Sequence, residues 1–217
     1  MITSEINKII AATKNTTIVA ATKYVDKNIM EELLEYNINN FGENRVDSFL
    51  EKYALLKDHE EIVWHFIGSL QTNKVNKMIN KISYLHSLDS INWAKYIDKY
   101  RFKPLNCFLQ INITNSLAKH GIKEEDVIVF LEEVKKYQNV KIIGLMTMTE
   151  QDMTIEEKLN TFYKLKDLRD NLNKLGYHDI LELSMGMSDD YQLAMKASAT
   201  FLRLGRILFE KGVNKNV

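Results

Sequence analysis

The chain of 217 residues carries 29 basic and 29 acidic residues, so its formal net charge at pH 7 is zero, which argues against nucleic acid or an anionic membrane as the main partner. A single cysteine, Cys107, excludes an internal disulfide framework and fits a reducing compartment. Because no stretch approaches the roughly 20 apolar residues that span a bilayer, we expect a cytoplasmic protein.

The chain reads as one domain, 1–217, without a linker rich in Gly, Ser or Pro. An amphipathic helix is predicted over residues 1–14. Eight runs rich in β-branched or aromatic residues then predict strands, over residues 17–21, 38–41, 62–67, 84–87, 107–113, 141–146, 180–183 and 200–204. Apolar residues recur at helical spacing between these strands, and Gly176 is a candidate end for a long helix.

Alternation of strands and helices predicts a parallel sheet covered by helices. Strands that begin roughly 20–40 residues apart suit the βα units of a barrel, so we predict a (β/α)8 barrel of the TIM type preceded by an extra helix. An open doubly wound sheet is the alternative. In a barrel, the candidate ligand-binding residues are those that follow the strands.

Two polar residues follow the first two predicted strands. Lys23 comes directly after the first, where an amine at the barrel mouth is a candidate Schiff-base nucleophile. The alternative is an ordinary solvated lysine. Asn44 follows the second strand, and it either presents a polar side chain to the mouth or caps a helix.

The loops after the seventh and eighth strands are the recurring phosphate site of TIM barrels. Here Ser184 and Ser188 supply hydroxyl groups, and Gly186 and Gly205 let backbone amides approach an anion. Arg206 adds a full charge. Simple capping turns are the alternative at each position, but a lysine after strand one together with such a cradle suggests pyridoxal 5′-phosphate (PLP).

The histidines and Cys107 lack the spacing of metal ligands, so we predict no metal site. His65 lies within an apolar predicted strand, where a hydrogen-bonded core histidine is the expected role. His86 has no partner nearby in the sequence with which it could form a nucleophile–base pair.

The sequence resembles the pyridoxal phosphate homeostasis protein family over almost its whole length, from about residue 15 to residue 209. The segments that carry the resemblance occur in order at residues 20–23, 41–44, 64–74, 86–90, 144–147 and 183–189. The third and the last are long and unusual, which makes the match specific.

The resemblance implies a barrel like the N-terminal domain of alanine racemase, with PLP held by Lys23 as a Schiff base. It places Asn44 beside the cofactor and Arg203 at the pyridine nitrogen, and it assigns the phosphate to Ser184 and to the turn of Gly205 and Arg206. Met146 and Met185 complete the implied cofactor-binding set, although packing is the usual role of such methionines.

Lys119 matches a family lysine associated with cofactor transfer, so apo PLP-dependent enzymes are the implied partners of a monomeric protein. The chain departs from the family pattern at Arg206, where Thr or Ser is usual, and at Glu210, where Gly is usual. Neither departure involves Lys23.

Three functions remain open from the sequence. The first is a PLP-binding homeostasis protein that stores or delivers the cofactor and is not an enzyme. The second is a racemase-type PLP enzyme; that activity needs a second proton-transfer group and a further β-rich domain, for which we expect no room after the eighth strand. The third is an aldolase-type barrel that forms a Schiff base without PLP, against which the phosphate cradle argues.

Overall fold

Eight parallel strands close into a barrel in the order β1 to β8, because β8 pairs with β1 through Phe201 and Thr17 as well as three further residue pairs. This computed structural model describes residues 1–71, 74–114 and 120–210. The strands are β1 (Thr17–Ala21), β2 (Asn40–Glu43), β3 (Val63–Phe66), β4 (Tyr84–Leu88), β5 (Leu105–Gln110), β6 (Val140–Met146), β7 (Glu182–Ser184) and β8 (Phe201–Leu204). The predicted closed barrel is therefore confirmed, and the open sheet is wrong.

Helices follow or precede the strands on the outside of the barrel. They are α1 (Ile6–Ala12), α2 (Lys27–Glu35), α3 (Val46–Leu55), α4 (Val75–Met78), α5 (Ile91–Tyr100), α6 (Val127–Val134), α7 (Ile155–Lys174) and α8 (Tyr191–Lys196). Two 3-10 turns, Glu124–Asp126 and Arg206–Leu208, complete the described elements. Helix α1 is the predicted extra helix, shorter than expected at both ends.

Local sequence signals account for the ends of the longest helix. Helix α7 begins with a capping box, in which the Thr154 hydroxyl accepts from the Glu157 amide and the Glu157 carboxylate accepts from the Thr154 amide. It ends before Gly176, which adopts a positive φ of 99° as predicted for a helix stop. The strand predictions hold to within three residues, and the largest shift is at β5, which ends at Gln110. Strand β2 starts two residues later than predicted, since Asn37 turns with a φ of 58° before pairing begins at Asn40.

Two apolar layers stabilise the barrel. The larger one lies between the strands and the surrounding helices and includes most of the buried residues. The smaller one fills the barrel interior with Val19, Phe108, Met146 and Phe201. The His65 ring and the Phe201 ring are 6.2 Å apart although β3 and β8 are not neighbours, so these side chains meet across the lumen. The interior is thus a packed core, and ligands are confined to its mouth.

Candidate functional site

A cavity of about 340 Å³ opens at the carboxyl ends of β1, β7 and β8. Lys23, Arg203, Gly205 and Arg206 all line it, so four of the predicted cofactor-binding residues lie together. Its volume falls in the range of about 300–1,000 Å³ that is usual for small-molecule pockets. The parallel strands bring these residues together because their carboxyl ends share one face of the barrel.

Lys23 projects from the end of β1 into this cavity with an exposed side chain. Its ammonium lies 4.6 Å from the centroid of the Tyr24 ring, a cation–π contact. The amine is therefore accessible to a carbonyl compound that enters the mouth.

The residue before Lys23 is held by a buried ion pair that the sequence analysis missed. The Thr22 hydroxyl donates to Glu43 Oε1 over 2.6 Å, and Lys52 Nζ donates to the same oxygen over 2.7 Å. Lys52 Nζ also donates to the Thr22 carbonyl oxygen over 2.5 Å. The Ser48 hydroxyl satisfies Glu43 Oε2 at 3.0 Å. The last residue before Lys23 is thereby anchored through both its side chain and its backbone.

A signal for this pair was present in the sequence. Glu43 ends a strand whose preceding residues, Phe41 and Gly42, are buried, and Lys52 lies on the same face of α3 as the buried Phe49. Charged residues on apolar faces usually have a buried partner. Their pairing across an element boundary became visible only in three dimensions.

Two backbone amides converge on one oxygen beside the cavity. The Gly205 and Ile207 amides both donate to Ser188 Oγ, over 3.2 and 3.3 Å. They lie where β8 turns into the 3-10 turn Arg206–Leu208. Such paired amides favour an acceptor oxygen and can serve a phosphate oxygen in the same way. The assignment of this turn to a phosphate stays a prediction, for which the two amides supply suitable donors.

Arg206 lies at the rim of the cavity with an exposed side chain. Its guanidinium forms an ion pair with the Asp189 carboxylate. In this arrangement the charge of Arg206 is shared with an acidic residue, and its assignment to the phosphate stays a prediction.

Gly186 lies in the loop after β7, close to helix α8. Its φ is 91°, and a Cβ atom there would lie 2.6 Å from the Cβ of Ala194 on α8. The glycine therefore allows the loop after β7 to turn and pack closely on a helix.

Arg203 forms the floor of the cavity and is buried. Its Nη1 donates to Ser184 Oγ over 2.5 Å, and its Nη2 donates to the Thr147 carbonyl oxygen over 2.9 Å. Burial lowers the pKa of Arg203 to about 10, and the nearby Asp190 carboxylate opposes that shift. Arg203 is still charged at neutral pH, and its assignment to the pyridine nitrogen stays a prediction.

Ser184 is fully buried between two other side chains. Its oxygen accepts from Arg203 and lies 2.7 Å from His86 Nδ1. The structure thus gives its hydroxyl partners inside the barrel, and its assignment to a phosphate stays a prediction. Ser188 is the serine that meets the paired amides.

His65 and His86 are buried in the barrel interior, and their rings are hydrogen-bonded at 2.9 Å between His65 Nδ1 and His86 Nε2. The expectation of a hydrogen-bonded core histidine at position 65 is confirmed. Burial lowers the pKa of His65 to about 3, and burial together with the charge of Arg203 holds the pKa of His86 well below its usual value. Both rings are neutral at pH 7.

This burial predicts a stability that declines in mild acid. Unfolded histidines take up a proton near pH 6.5, whereas the folded His65 does so only near pH 3. Between these values the unfolded state binds more protons. The free energy of unfolding therefore decreases as the pH is lowered, by up to about 1.4 kcal/mol per pH unit for each histidine. Urea unfolding measured between pH 7 and 5 checks this, in a range where ordinary carboxylates stay ionised.

The control for this pH effect is an exchange of one histidine at a time. His65→Gln is expected to reduce the slope by about half. A wild-type unfolding free energy that does not change from pH 6.5 to 5 would contradict the neutral burial of these rings.

Asn44 lies in a second cavity, of about 580 Å³, that adjoins the first and shares Thr149 and Met187 with it. Asn44 Oδ1 is buried and has no hydrogen-bond partner within residues 1–71, 74–114 and 120–210. A buried acceptor without a partner is costly unless a ligand or water satisfies it. Asn44 therefore sits beside the Lys23 cavity, and its side chain is available to a donor group at the mouth.

Gly68 supports the position of Asn44. A Cβ atom at Gly68 would lie 2.1 Å from the Asn44 carbonyl oxygen, and the Gly68 carbonyl itself accepts from the Ser87 hydroxyl over 2.5 Å. We expect Gly68→Ala to displace the Asn44 loop and to lower the free energy of unfolding by about 1–3 kcal/mol.

Thermal unfolding of Gly68→Ala against Gly205→Ala measures this effect. A Cβ at Gly205 meets the Cβ of Ala21 at 3.5 Å, an ordinary contact, so the stability of that variant should be close to wild type. Equal losses in the two variants would argue against the close approach at Gly68.

The remaining predicted residues lie elsewhere or outside the described residues. Met146 packs in the barrel interior, and Met185 is fully buried in the layer under the helices. Both occupy packing positions, while Met187 lines both mouth cavities. Lys119 lies outside the described residues.

Two further properties concern the described residues alone. None of their histidine, cysteine, aspartate or glutamate side chains gather in a group of three that could hold a metal ion. None of their helices combines the length and the apolar character that crossing a membrane requires.

Residues 2–211 match the family model for the alanine racemase N-terminal domain. The pyridoxal phosphate homeostasis protein of Aquifex aeolicus is 37% identical over 195 residues, which cover 88% of this chain and 85% of that protein. Its counterpart from Synechocystis is 36% identical over 196 residues, which cover 88% of this chain and 89% of that protein.

Solved structures show the same barrel. PipY of Synechococcus elongatus with PLP bound has a TM-score of 0.85 and 28% identity, with 94% of this chain and all of that chain covered. A viral arginine decarboxylase shares the fold alone, with a TM-score of 0.72 and 15% identity over 93% of this chain and 60% of that one. On this sequence and fold evidence, the chain belongs to the alanine racemase N-terminal domain family and, within it, to the pyridoxal phosphate homeostasis proteins.

Proposed function

We propose that this protein holds PLP covalently through Lys23 and takes part in PLP homeostasis in the cytoplasm by storing or delivering the cofactor. The observation that carries the proposal is the shared cavity, in which an accessible lysine amine, a buried guanidinium and a pair of converging amides lie together. When bound, PLP supplies an aldehyde that condenses with a lysine amine. The related PipY, which has been solved with PLP bound, supports the same assignment.

The residues of the cavity fit the chemical groups of PLP. We assign the amide pair of Gly205 and Ile207 to the phosphate, since it already binds the oxygen of Ser188. Lys23 and Arg203 line the same space, and we assign Arg203 to the ring nitrogen. Asn44, Ser184, Arg206, Met146 and Met185 remain the wider predicted binding set.

A guanidinium donates hydrogen bonds and accepts none. Opposite the ring nitrogen it favours the unprotonated form of that nitrogen and weakens the electron-sink chemistry on which PLP enzymes depend. We therefore propose that the barrel acts as a single-domain, monomeric carrier and not as an enzyme, with apo PLP-dependent enzymes as recipients and Lys119 as a transfer lysine. The curated relatives described above are named as homeostasis proteins, which supports this choice.

The experiment combines loading, trapping and delivery. The purified full chain is incubated with PLP, its absorption spectrum is recorded, and the product is reduced with borohydride and digested. We expect an imine absorbance and a single reduced label on the peptide that contains Lys23. A protein that stays colourless and unlabelled would refute PLP binding.

Delivery is then measured by mixing the loaded protein with an apo PLP-dependent enzyme and following the recovery of that enzyme's activity. Recovery faster than from an equal concentration of free PLP supports a carrier. Racemisation of an amino acid by the loaded protein at enzyme-like rates would instead favour the racemase alternative.

A further inference from the structure

A continuous chain of hydrogen-bonded side chains crosses the barrel interior. It starts at Arg203 on the cavity floor and passes through Ser184, His86 and His65 to Asn40, at the opposite end of the barrel. The four contacts measure 2.5, 2.7, 2.9 and 2.9 Å in that order. Neither histidine is needed for the proposed binding of PLP, so the chain calls for a separate explanation.

The arginine end agrees with a single direction for all the hydrogen bonds. Arg203 can only donate, so Ser184 Oγ accepts from it and keeps its own hydrogen available for His86 Nδ1. A neutral His86 that accepts at Nδ1 carries its proton on Nε2. It therefore donates to His65 Nδ1, and His65 in turn donates from Nε2 to Asn40 Oδ1.

The opposite end leads independently to the same direction. The Glu61 backbone carbonyl can only accept, so Asn39 points its Nδ2 at that oxygen, over 2.9 Å. Asn39 Oδ1 then accepts from Asn40 Nδ2 over 2.9 Å, which leaves Asn40 Oδ1 to face His65. With both rings neutral, the acceptor end thus sets one orientation for the whole series of hydrogen bonds, and the Arg203 end agrees with it.

We infer that Ser184, His86 and His65 are positioning residues that hold the Arg203 guanidinium in one orientation toward the mouth of the barrel. Because the proposed function places the cofactor ring against Arg203, this inference rests on that function for its consequence at the cofactor. The hydrogen-bond chain itself is a property of the unloaded protein.

The guanidinium is held at two points. One terminal nitrogen donates to Ser184 and the other to the Thr147 carbonyl oxygen. Because both terminal nitrogens are held, the plane of the guanidinium and the direction of its remaining edge are fixed. If His86 did not accept from Ser184, the serine hydrogen would compete with Arg203 for space, and one of the two points would weaken.

Packing prevents the histidines from turning into another arrangement. The His65 ring stacks on Tyr84 with centroids 4.5 Å apart, and the His86 ring stacks on Phe108 at 4.4 Å. Rotation of either ring would break its stacking contact as well as two hydrogen bonds. The chain is therefore a rigid support that links the floor of the cavity to the bottom of the barrel.

Nitrogen NMR of the labelled, unloaded full chain tests the orientation directly. We expect both histidines to carry their proton on Nε2 alone at pH 7, and the side-chain hydrogens of Arg203 to exchange slowly with water. A proton on Nδ1 of either ring, or a mixture of the two tautomers, would overturn the inference.

Variants separate positioning from mere packing. Ser184→Ala removes the link to Arg203 and should speed the exchange of the Arg203 side-chain hydrogens by at least about tenfold, as expected for the loss of one charge-assisted hydrogen bond. Ser184→Thr keeps the hydroxyl and should restore slow exchange. Phe108→Leu is the packing control, since it loosens the contact with His86 and leaves every link of the chain in place. Equal exchange in Ser184→Ala, Ser184→Thr and wild type would refute the positioning role.

Asn40→Leu removes the last hydrogen bond of the series, the one to His65. Because the Asn40 side chain is only partly buried, the protein should tolerate this substitution and still fold. We expect it to mix the tautomers of His65 while Lys23 still accepts PLP. In the loaded protein, Ser184→Ala should shift the absorption maximum of the bound cofactor, and Ser184→Thr and Phe108→Leu should not.

These measurements distinguish the inference from the proposed function. A wild-type protein that shows the expected histidine tautomers but does not bind PLP would refute the proposed function and leave the positioning of Arg203 intact. A chain that binds PLP with unchanged absorption in Ser184→Ala would refute the effect of this support on the cofactor.

Discussion

Lys23→Ala is expected to leave the protein folded and to remove the borohydride-stable PLP label down to the level of unloaded protein. The side chain is exposed and its ammonium lies over the Tyr24 ring, so its loss should change the free energy of unfolding by less than about 0.5 kcal/mol. The covalent step, by contrast, needs a primary amine at this point of the cavity.

The matched control is another lysine of the same cavity. Lys158 lines the cavity from α7 and should be dispensable, so Lys158→Ala is expected to keep the label on Lys23. Mass spectrometry of the reduced peptides measures both results. A label that persists in Lys23→Ala, or that disappears in Lys158→Ala, would assign the amine to a different residue.

Noncovalent binding gives a second measurement in the same variant. The paired amides of Gly205 and Ile207 remain in Lys23→Ala, so PLP should still bind reversibly through its phosphate. Equilibrium dialysis with PLP and with inorganic phosphate as a competitor detects this residual binding, and competition by phosphate would assign it to the amide pair.

Lys52→Met is expected to lower the free energy of unfolding by about 3–5 kcal/mol, because it leaves the Glu43 carboxylate buried without its cation. The Glu43 side chain is 0% exposed and that of Lys52 is 11% exposed, so water cannot replace the lost partner. The same change removes the hydrogen bond from Lys52 to the Thr22 carbonyl, and it should therefore also weaken the retention of PLP on Lys23.

An exposed ion pair between Asp47 on α3 and Lys74, which precedes α4, provides the comparison. Lys74 pairs with Asp47 at 2.5 Å, with side chains that are 35% and 66% exposed. Lys74→Met should cost less than about 1 kcal/mol, because exposed pairs are solvated and contribute little. Urea unfolding of the two variants side by side checks the difference, and equal costs would contradict the role of burial.

A double variant tests whether the unpaired charge is the cause. Glu43→Gln combined with Lys52→Met removes both charges and should recover a large part of the loss in Lys52→Met. If the double variant were as unstable as the sum of the single ones, the ion pair would not act as a unit.

The architecture could be predicted from the sequence because it depends on local patterns. Strand-forming runs, helical stripes and a glycine at the end of α7 reflect preferences of neighbouring residues, and a regular alternation of strands and helices leaves few arrangements. The positions of Lys23, Arg203, Gly205 and Arg206 at one cavity followed from the rule that strand ends meet at the mouth of a barrel.

Contacts between distant residues could not be predicted in the same way. The sequence assigns Ser184 to a phosphate from its place in a serine- and glycine-containing loop, and it gives no sign of the contact with His86, which is 98 residues away along the chain. Which side of a strand faces the lumen, and which strand it faces, is decided by the closure of the barrel.

The sequence by itself thus determined the kind of fold, the family and the strand ends at which a cofactor would be held. Only the tertiary structure decided which polar groups lie in the cavity and which are consumed as internal support: Ser188 beside the paired amides, Glu43 with Lys52 under Thr22, and the histidines behind Arg203. The physical reason is that secondary structure follows from short-range preferences, whereas buried polar groups must find partners wherever the folded chain brings them.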